Sequence, residues 1–165
     1  MSEVLVRRTL DRVKPGSEFL LYEALPRIHK FSYEFDGDAA GLVHQVMALF
    51  LRNTPELGLW VARRDGIVVG HLLGMLSQWD GKMVAWVNQA KMDEKESHPD
   101  YIKAQIDALD DWVVEANLWY AENKVPVVIR EQMMQTPWID RAEAWARGFG
   151  FQPHRLLCRR EARRR

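Results

Sequence analysis

Apolar residues change their spacing along this chain, and the changes divide it into elements. From Leu57 to Met92 they alternate or run together, LGLWVARRDGIVVGHLLGMLSQWDGKMVAWVNQAKM, broken only by Asp65-Gly66 and Asp80-Gly81. Asp-Gly between β-rich runs marks a tight hairpin, because that turn needs positive φ, which glycine adopts cheaply. Three consecutive antiparallel strands are expected. In the middle one, Gly70 and Gly74 fall on one face, where a missing side chain signals a bulge, a bend or the close approach of another element.

On either side the spacing is mostly helical. Residues 4–10 form a short β-like run, and Pro15-Gly16-Ser17 is a turn and helix start. A first helix carries Phe19, Leu20, Tyr22 and Leu25 towards His29, with Pro26 as a disturbance. Phe31 to Gly37 is expected as an aromatic loop. Asp38 then caps a second helix bearing Leu42, Val43, Val46, Met47, Leu49 and Phe50, which Asn53-Thr54-Pro55 ends.

After the three strands comes the polar stretch DEKESHPD. Asp100 is expected to cap the longest helix, about Asp100 to Asn123. Ile102, Ile106, Leu109, Val113, Ala116 and Tyr120 make one stripe on it, widened by Trp112 and Trp119. Pro126 opens VPVVIREQ, a short apolar run expected as a strand buried on both faces. Thr136-Pro137 starts a further helix with Ile139, Ala142, Trp145, Ala146 and Phe149 on its buried side. FQPHRLLCRRE is expected as a last strand. With no repeat and no linker, residues 1–165 read as a single domain with a basic tail at 161–165.

Composition narrows the function classes. The 165 residues are 47% apolar and 28% charged with formal net charge zero, so no global field favours nucleic acid or an anionic membrane. The charge is uneven: Asp93 to Asn123 holds nine acidic residues against two lysines, and His154 to Arg165 six arginines against one glutamate. A single cysteine, Cys158, excludes an internal disulfide, and in RLLCRR it reads as a small semi-buried hydrophobe. No run of 18 apolar residues and no signal peptide is present, so the expected setting is cytoplasmic. Seven tryptophans imply a large aromatic core or an aromatic contact surface.

The order strand, two helices, three-strand meander, long helix, strand, helix, strand resembles the GNAT (Gcn5-related N-acetyltransferase) fold. LGLWVARRDGIVVGHLLG is similar to the family's second and third strands, and AWARGFGFQP to its fourth helix and the corner after it. The implied architecture is α/β of the α+β kind, a GNAT-like mixed, mostly antiparallel central sheet of about six strands with about four helices.

The resemblance also implies an acyl-CoA site, and here the chain departs from the pattern. The family's loop after the fourth strand reads Q/R-x-x-G-x-G/A, whose backbone amides and following helix N-terminus cradle a pyrophosphate. The corresponding NQAKMDEKESHPD has no glycine and is net acidic, a field that opposes a polyanion. The fourth-helix tyrosine that commonly protonates the leaving thiolate falls at Ala146, beside Trp145, and no tyrosine follows Tyr120.

Candidate residues follow from that fold. Glu131, after VVIR, is a candidate general base for an acceptor amine, against the plainer reading of a strand-end carboxylate paired with Arg130 or a C-terminal arginine. Asn88 and Gln89, late in the third meander strand, would orient the acyl group of a bound cofactor. His71 is a further possible base, against a hydrogen-bonded, semi-buried histidine. His98 is explained by capping before Pro99. No histidine or carboxylate spacing points to a metal, and no nucleophile elbow or nucleotide loop is present.

The sequence alone therefore favours a GNAT-fold protein with a degenerate acyl-CoA site and no cofactor. It would serve as a binding or assembly subunit, with a protein partner or its own copies, and a phage-encoded or virion component is one form of this. The alternative is an acyl-CoA-dependent N-acetyltransferase using acetyl-CoA, in which a small-molecule amine attacks the thioester directly.

Overall fold

The computed structural model describes residues 5–34, 37–96, 98–134, 147–148 and 150–151. The chain divides into two units, Met1–Gln135 and Thr136–Arg165. Most of the expected last helix and last strand, the Ala146 position, Cys158 and the basic tail lie outside the described residues.

Five strands, β1 (Arg8–Arg12), β2 (Leu57–Arg64), β3 (Ile67–Trp79), β4 (Lys82–Met92) and β5 (Gln132–Met134), form one sheet in sequential order. The first three pairings are antiparallel and β4–β5 is parallel. Both Asp-Gly pairs make the expected hairpins, with φ of 49° and 84° at Asp65-Gly66 and 51° and 76° at Asp80-Gly81. Positive φ at both central residues is the turn whose twist matches that of the flanking strands. Helices α1 (Glu18–Glu34) and α2 (Ala39–Arg52) cover one face, and α3 (Pro99–Glu122) covers the other. The fold class is the expected one.

On the α1/α2 face, Leu57, Leu59, Val61, Leu73 and Met75 bury against Leu20, Leu21, Ala24, Ile28, Val46 and Phe50. α1 continues to Glu34, so the loop expected from Phe31 is helical instead. Pro26 is tolerated because it and Tyr22, whose carbonyl loses its partner, both lie on the solvent side, where water can serve that carbonyl. Asp38 caps α2 as expected, accepting from Gly41 N at 2.9 Å.

On the opposite face, Trp112 occupies a slot over Gly58 and Gly74. A Cβ at Gly74 would sit 2.6 Å from its ring and one at Gly58 2.8 Å. Its Nε1 donates to Pro55 O at 2.7 Å, and its ring meets Trp60 edge-on. That anchor rotates α3 away from the expected stripe. Tyr101, Gln105, Leu109, Trp112, Ala116 and Tyr120 are buried, whereas Ile102 is exposed. Tyr101 reinforces the rotation by donating to Arg63 O at 2.6 Å.

The strand expected to open at Pro126 is also corrected. Val125, Pro126 and Val128 are exposed, and only Gln132–Met134 pairs with β4. Asn117 of α3 takes over the ladder's role by bonding both Ile129 N and Ile129 O, at 2.7 and 2.9 Å.

Candidate functional site

β4 carries an irregularity at the position the sequence singled out. Leu73 lies opposite Gln89 but Gly74 lies opposite Val87, so Asn88 is an extra residue with no counterpart on β3. Such a bulge unpairs a residue and re-aims the backbone around it. The parallel pairing with β5 covers Ala85, Trp86 and Val87, immediately before the bulge. From Asn88 onward, no strand among the described residues lines the β5 side of β4. Asn88 Oδ1 is buried and has no hydrogen-bond partner among the described residues. A buried acceptor left unsatisfied costs about 1–3 kcal/mol, so a ligand donor reaching it would be rewarded.

Gln89 is placed differently from expectation. Its side chain is only 5% exposed and is committed to the interior. Its Nε2 donates to Ile28 O at 3.3 Å, so its Oε1 accepts from His71 Nε2 at 2.8 Å. A contact from Gln89 to a cofactor would have to use its backbone. His71 is buried outright, not partly, and its ring meets Phe31 edge-on. Burial above all pushes its pKa down to about 4; the Gln89 bond pulls it up, and the Arg27 and Lys91 charges push it further down. This histidine is neutral and shut away from solvent, which removes it as a base for an acceptor amine.

The stretch after β4 is less hostile to phosphate than its composition implies. Arg27 of α1 grips Asp93 with two bonds of 2.9 and 3.1 Å and also donates to Val68 O. The Arg27 hydrogen bonds hold the Asp93 carboxyl below the usual range. Arg64 of β2 pairs with Glu96 at 2.8 Å. Two of the carboxylates that made the loop acidic are thus neutralised by arginines distant in sequence, with Lys91 and Lys95 nearby. In place of a glycine loop the chain makes a 3-10 turn over Glu94–Glu96. The cap of α3 is His98, which accepts from Asp100 N at 3.2 Å, so the expectation of Asp100 as cap is corrected. Pro99 at the first helical position fixes φ and lacks an N–H.

Glu131 stands just before β5, where its carbonyl accepts from Ala85 N at 3.0 Å. Its carboxylate pairs with Lys82 at 2.6 Å, while the C-terminal arginines lie outside the described residues. The register puts further groups on the same face as α1 and α2. Met75, in that core, lies opposite Trp86, and Trp79 lies opposite Lys82. Trp79 and Trp86 meet with ring centroids 5.3 Å apart, and both are half-buried. Sequence reasoning missed this pair. The signal was available, because the Asp80-Gly81 turn fixes the register that brings the two rings together.

No family model matches the sequence, and no curated protein compared with it matches. Solved structures do. Aminoglycoside N-acetyltransferase AAC(6')-Iy in complex with CoA is similar with a TM-score of 0.65 and 13% identity, over 98% of this chain and 99% of that one. A predicted acetyltransferase with acetyl-CoA from Clostridium acetobutylicum has a TM-score of 0.63 and 10% identity, over 94% and 96%. An aminoglycoside acetyltransferase from an uncultured soil metagenomic sample, in complex with sisomicin, has a TM-score of 0.54 and 15% identity, over 96% and 97%. At these identities the likeness is one of fold.

Proposed function

Because the chain has the GNAT fold, we infer that it is an acyl-CoA-dependent N-acetyltransferase acting on a small-molecule amine. The observation that carries this is the bulge at Asn88. It leaves a buried oxygen without a partner among the described residues, and an extra residue where β4 parts from its described pairing with β5, in a fold whose similar structures include CoA-bound and acetyl-CoA-bound acetyltransferases. The residues present fit the cofactor at that end. At the other end, Lys91 and Lys95 are the cations available for its phosphates, once Arg27 and Arg64 have neutralised Asp93 and Glu96; the start of α3 is already capped by His98.

Acetyl-CoA would supply an activated thioester carbonyl. The chain's own contribution is chiefly positioning, which can account for much of such an acceleration. Asn88 Oδ1 would accept from an amide N–H of the cofactor's pantetheine arm, and backbone N–H groups around the bulge would orient the acyl carbonyl. Glu131 is the candidate to take the proton lost by the attacking amine, through water. The position of the family's thiolate-side tyrosine is Ala146 in this sequence, which lies outside the described residues.

The binding-or-assembly reading drawn from the sequence rested on a loop that is acidic and lacks glycine, and on the missing fourth-helix tyrosine. The ion pairs at Asp93 and Glu96 answer the charge part of that objection. The test is release of free CoA thiol from acetyl-CoA in the presence of a panel of primary amines. The reading expects amine-dependent release that falls at least tenfold in Asn88→Ala while the unfolding temperature stays within a few degrees. Release no faster than without protein, across the panel, would overturn it.

A further inference from the structure

Helix α1 is apolar on two sides. Leu21, Ala24 and Ile28 bury against the sheet, yet Phe19, Tyr22, Pro26, His29 and Tyr33 form a second stripe that faces solvent. Phe19 is 57% exposed, Tyr22 68% and Tyr33 74%. The steps along this stripe alternate three and four, so all five residues lie on one side of the helix. Part of it is stacked: the His29 and Tyr33 rings have centroids 6.5 Å apart at an interplanar angle of 7°. A surface helix carries polar residues on its solvent side, and one that is apolar on both sides is buried on both. Steps of three and four are also the spacing at which two helices interdigitate along a seam.

The flanking charges say which helix fits. Glu23 and Lys30 lie on the same flank of the stripe, two turns apart, with Pro26 midway between them. Phe19 and Tyr33 are symmetric about the same residue. A second α1 crossing antiparallel at Pro26 brings Glu23 of each protomer beside the partner's Lys30, and Phe19 beside the partner's Tyr33. A parallel pair instead sets this flank against the one that carries Glu18, so that Glu23 approaches a like charge. Lys30 is available for the contact: its pairing with Glu34 is 3.9 Å long, its side chain is 78% exposed, and such a pair is worth little. Pro26 also leaves the Tyr22 carbonyl without a helical donor at the middle of the seam, where the partner's Lys30 can supply one.

We propose that α1 is a self-association surface, through which two copies of this chain pair antiparallel along the Phe19–Tyr33 stripe with Glu23 of each protomer on Lys30 of the other. Neither the stripe nor its charges depend on the acetyltransferase reading. One helix pair about 25 Å long is a small interface, so the dimer is reversible, with a dissociation constant on the order of micromolar.

Sedimentation equilibrium of the full chain, from micromolar to near-millimolar concentration, tests this. The parent should pass reversibly from the 19.3 kDa monomer to twice that mass. Glu23→Lys and Lys30→Glu should each weaken association about tenfold or more, because each sets like charges opposite one another. The variant with both changes should return to within about threefold of the parent, since the pairs are restored with their signs exchanged. Tyr22→Glu should stay monomeric throughout. All three side chains are exposed, so the unfolding temperature of the dilute variants should stay within a few degrees of the parent, which shows that they fold. A parent that is monomeric at the highest concentration would overturn the inference and leave the stripe to a different protein. A dimer unweakened by Glu23→Lys, or not restored in the double variant, would overturn it equally.

Discussion

His71 on β3 donates from Nε2 to Gln89 on β4 across 2.8 Å, and Gln89 passes the connection to the Ile28 carbonyl of α1. This buried chain ties the helix layer to the strand one residue beyond the bulge. A polar link in a low-dielectric interior fixes geometry strongly when it is satisfied and is costly when it is broken.

Burial of the His71 ring makes stability pH-dependent. His71 has a folded pKa of about 4 against an ordinary 6.5. The unfolded chain therefore takes up the proton first as pH falls. The histidine's contribution is intact above pH 6.5 and is lost progressively down to about pH 4, by up to about 3 kcal/mol. Urea unfolding of the parent and of His71→Gln across this range should show a difference that narrows as pH drops. Parallel curves would contradict the assignment of a neutral buried ring.

Gly74 is where α3 meets the sheet. A Cβ there would lie 2.6 Å from the Trp112 ring and 3.3 Å from Trp86 O, so neither neighbour can yield cheaply. Gly74→Ala should cost about 1–3 kcal/mol, read as a lower denaturation midpoint. Gly66→Ala, whose added Cβ meets nothing within 4 Å, should instead show only the backbone cost of its φ of 84°.

Arg27 is the residue that makes the exit of β4 tolerable to an anion. Its partner Asp93 is half exposed, so Arg27→Ala should lower stability by only about 1 kcal/mol. Freeing that carboxylate should weaken acetyl-CoA binding by more than its effect on stability suggests, roughly tenfold, and the loss should shrink as salt is raised. Equal affinities at low salt would show that the phosphates lie elsewhere.

The sequence made some of this legible and hid the rest for identifiable reasons. The Asp-Gly turns, the Asp38 cap and the meander are local chemistry, and they stand as read. Leu109, Ala116 and Tyr120 of the expected α3 stripe are buried, but the stripe is centred on Trp112 and leaves Ile102 exposed, because two glycines on other strands make room for the Trp112 ring. VPVVIREQ looked like a full strand, since nothing nearby shows that Asn117 supplies hydrogen bonds in place of a ladder. The loop after Met92 looked acidic because the arginines that neutralise it, Arg27 and Arg64, come from 66 and 32 residues earlier in the chain. Asn88 was picked for its polarity late in a strand. Its bulge is visible only in the register.

The central claim is that this fold still holds an acyl-CoA, and thermal unfolding with acetyl-CoA tests it most directly. A ligand at a hundredfold its dissociation constant adds about 2.7 kcal/mol of stability. The account predicts an unfolding temperature that rises with acetyl-CoA concentration, and a smaller rise in Asn88→Ala. An unfolding temperature unchanged at millimolar acetyl-CoA would contradict it.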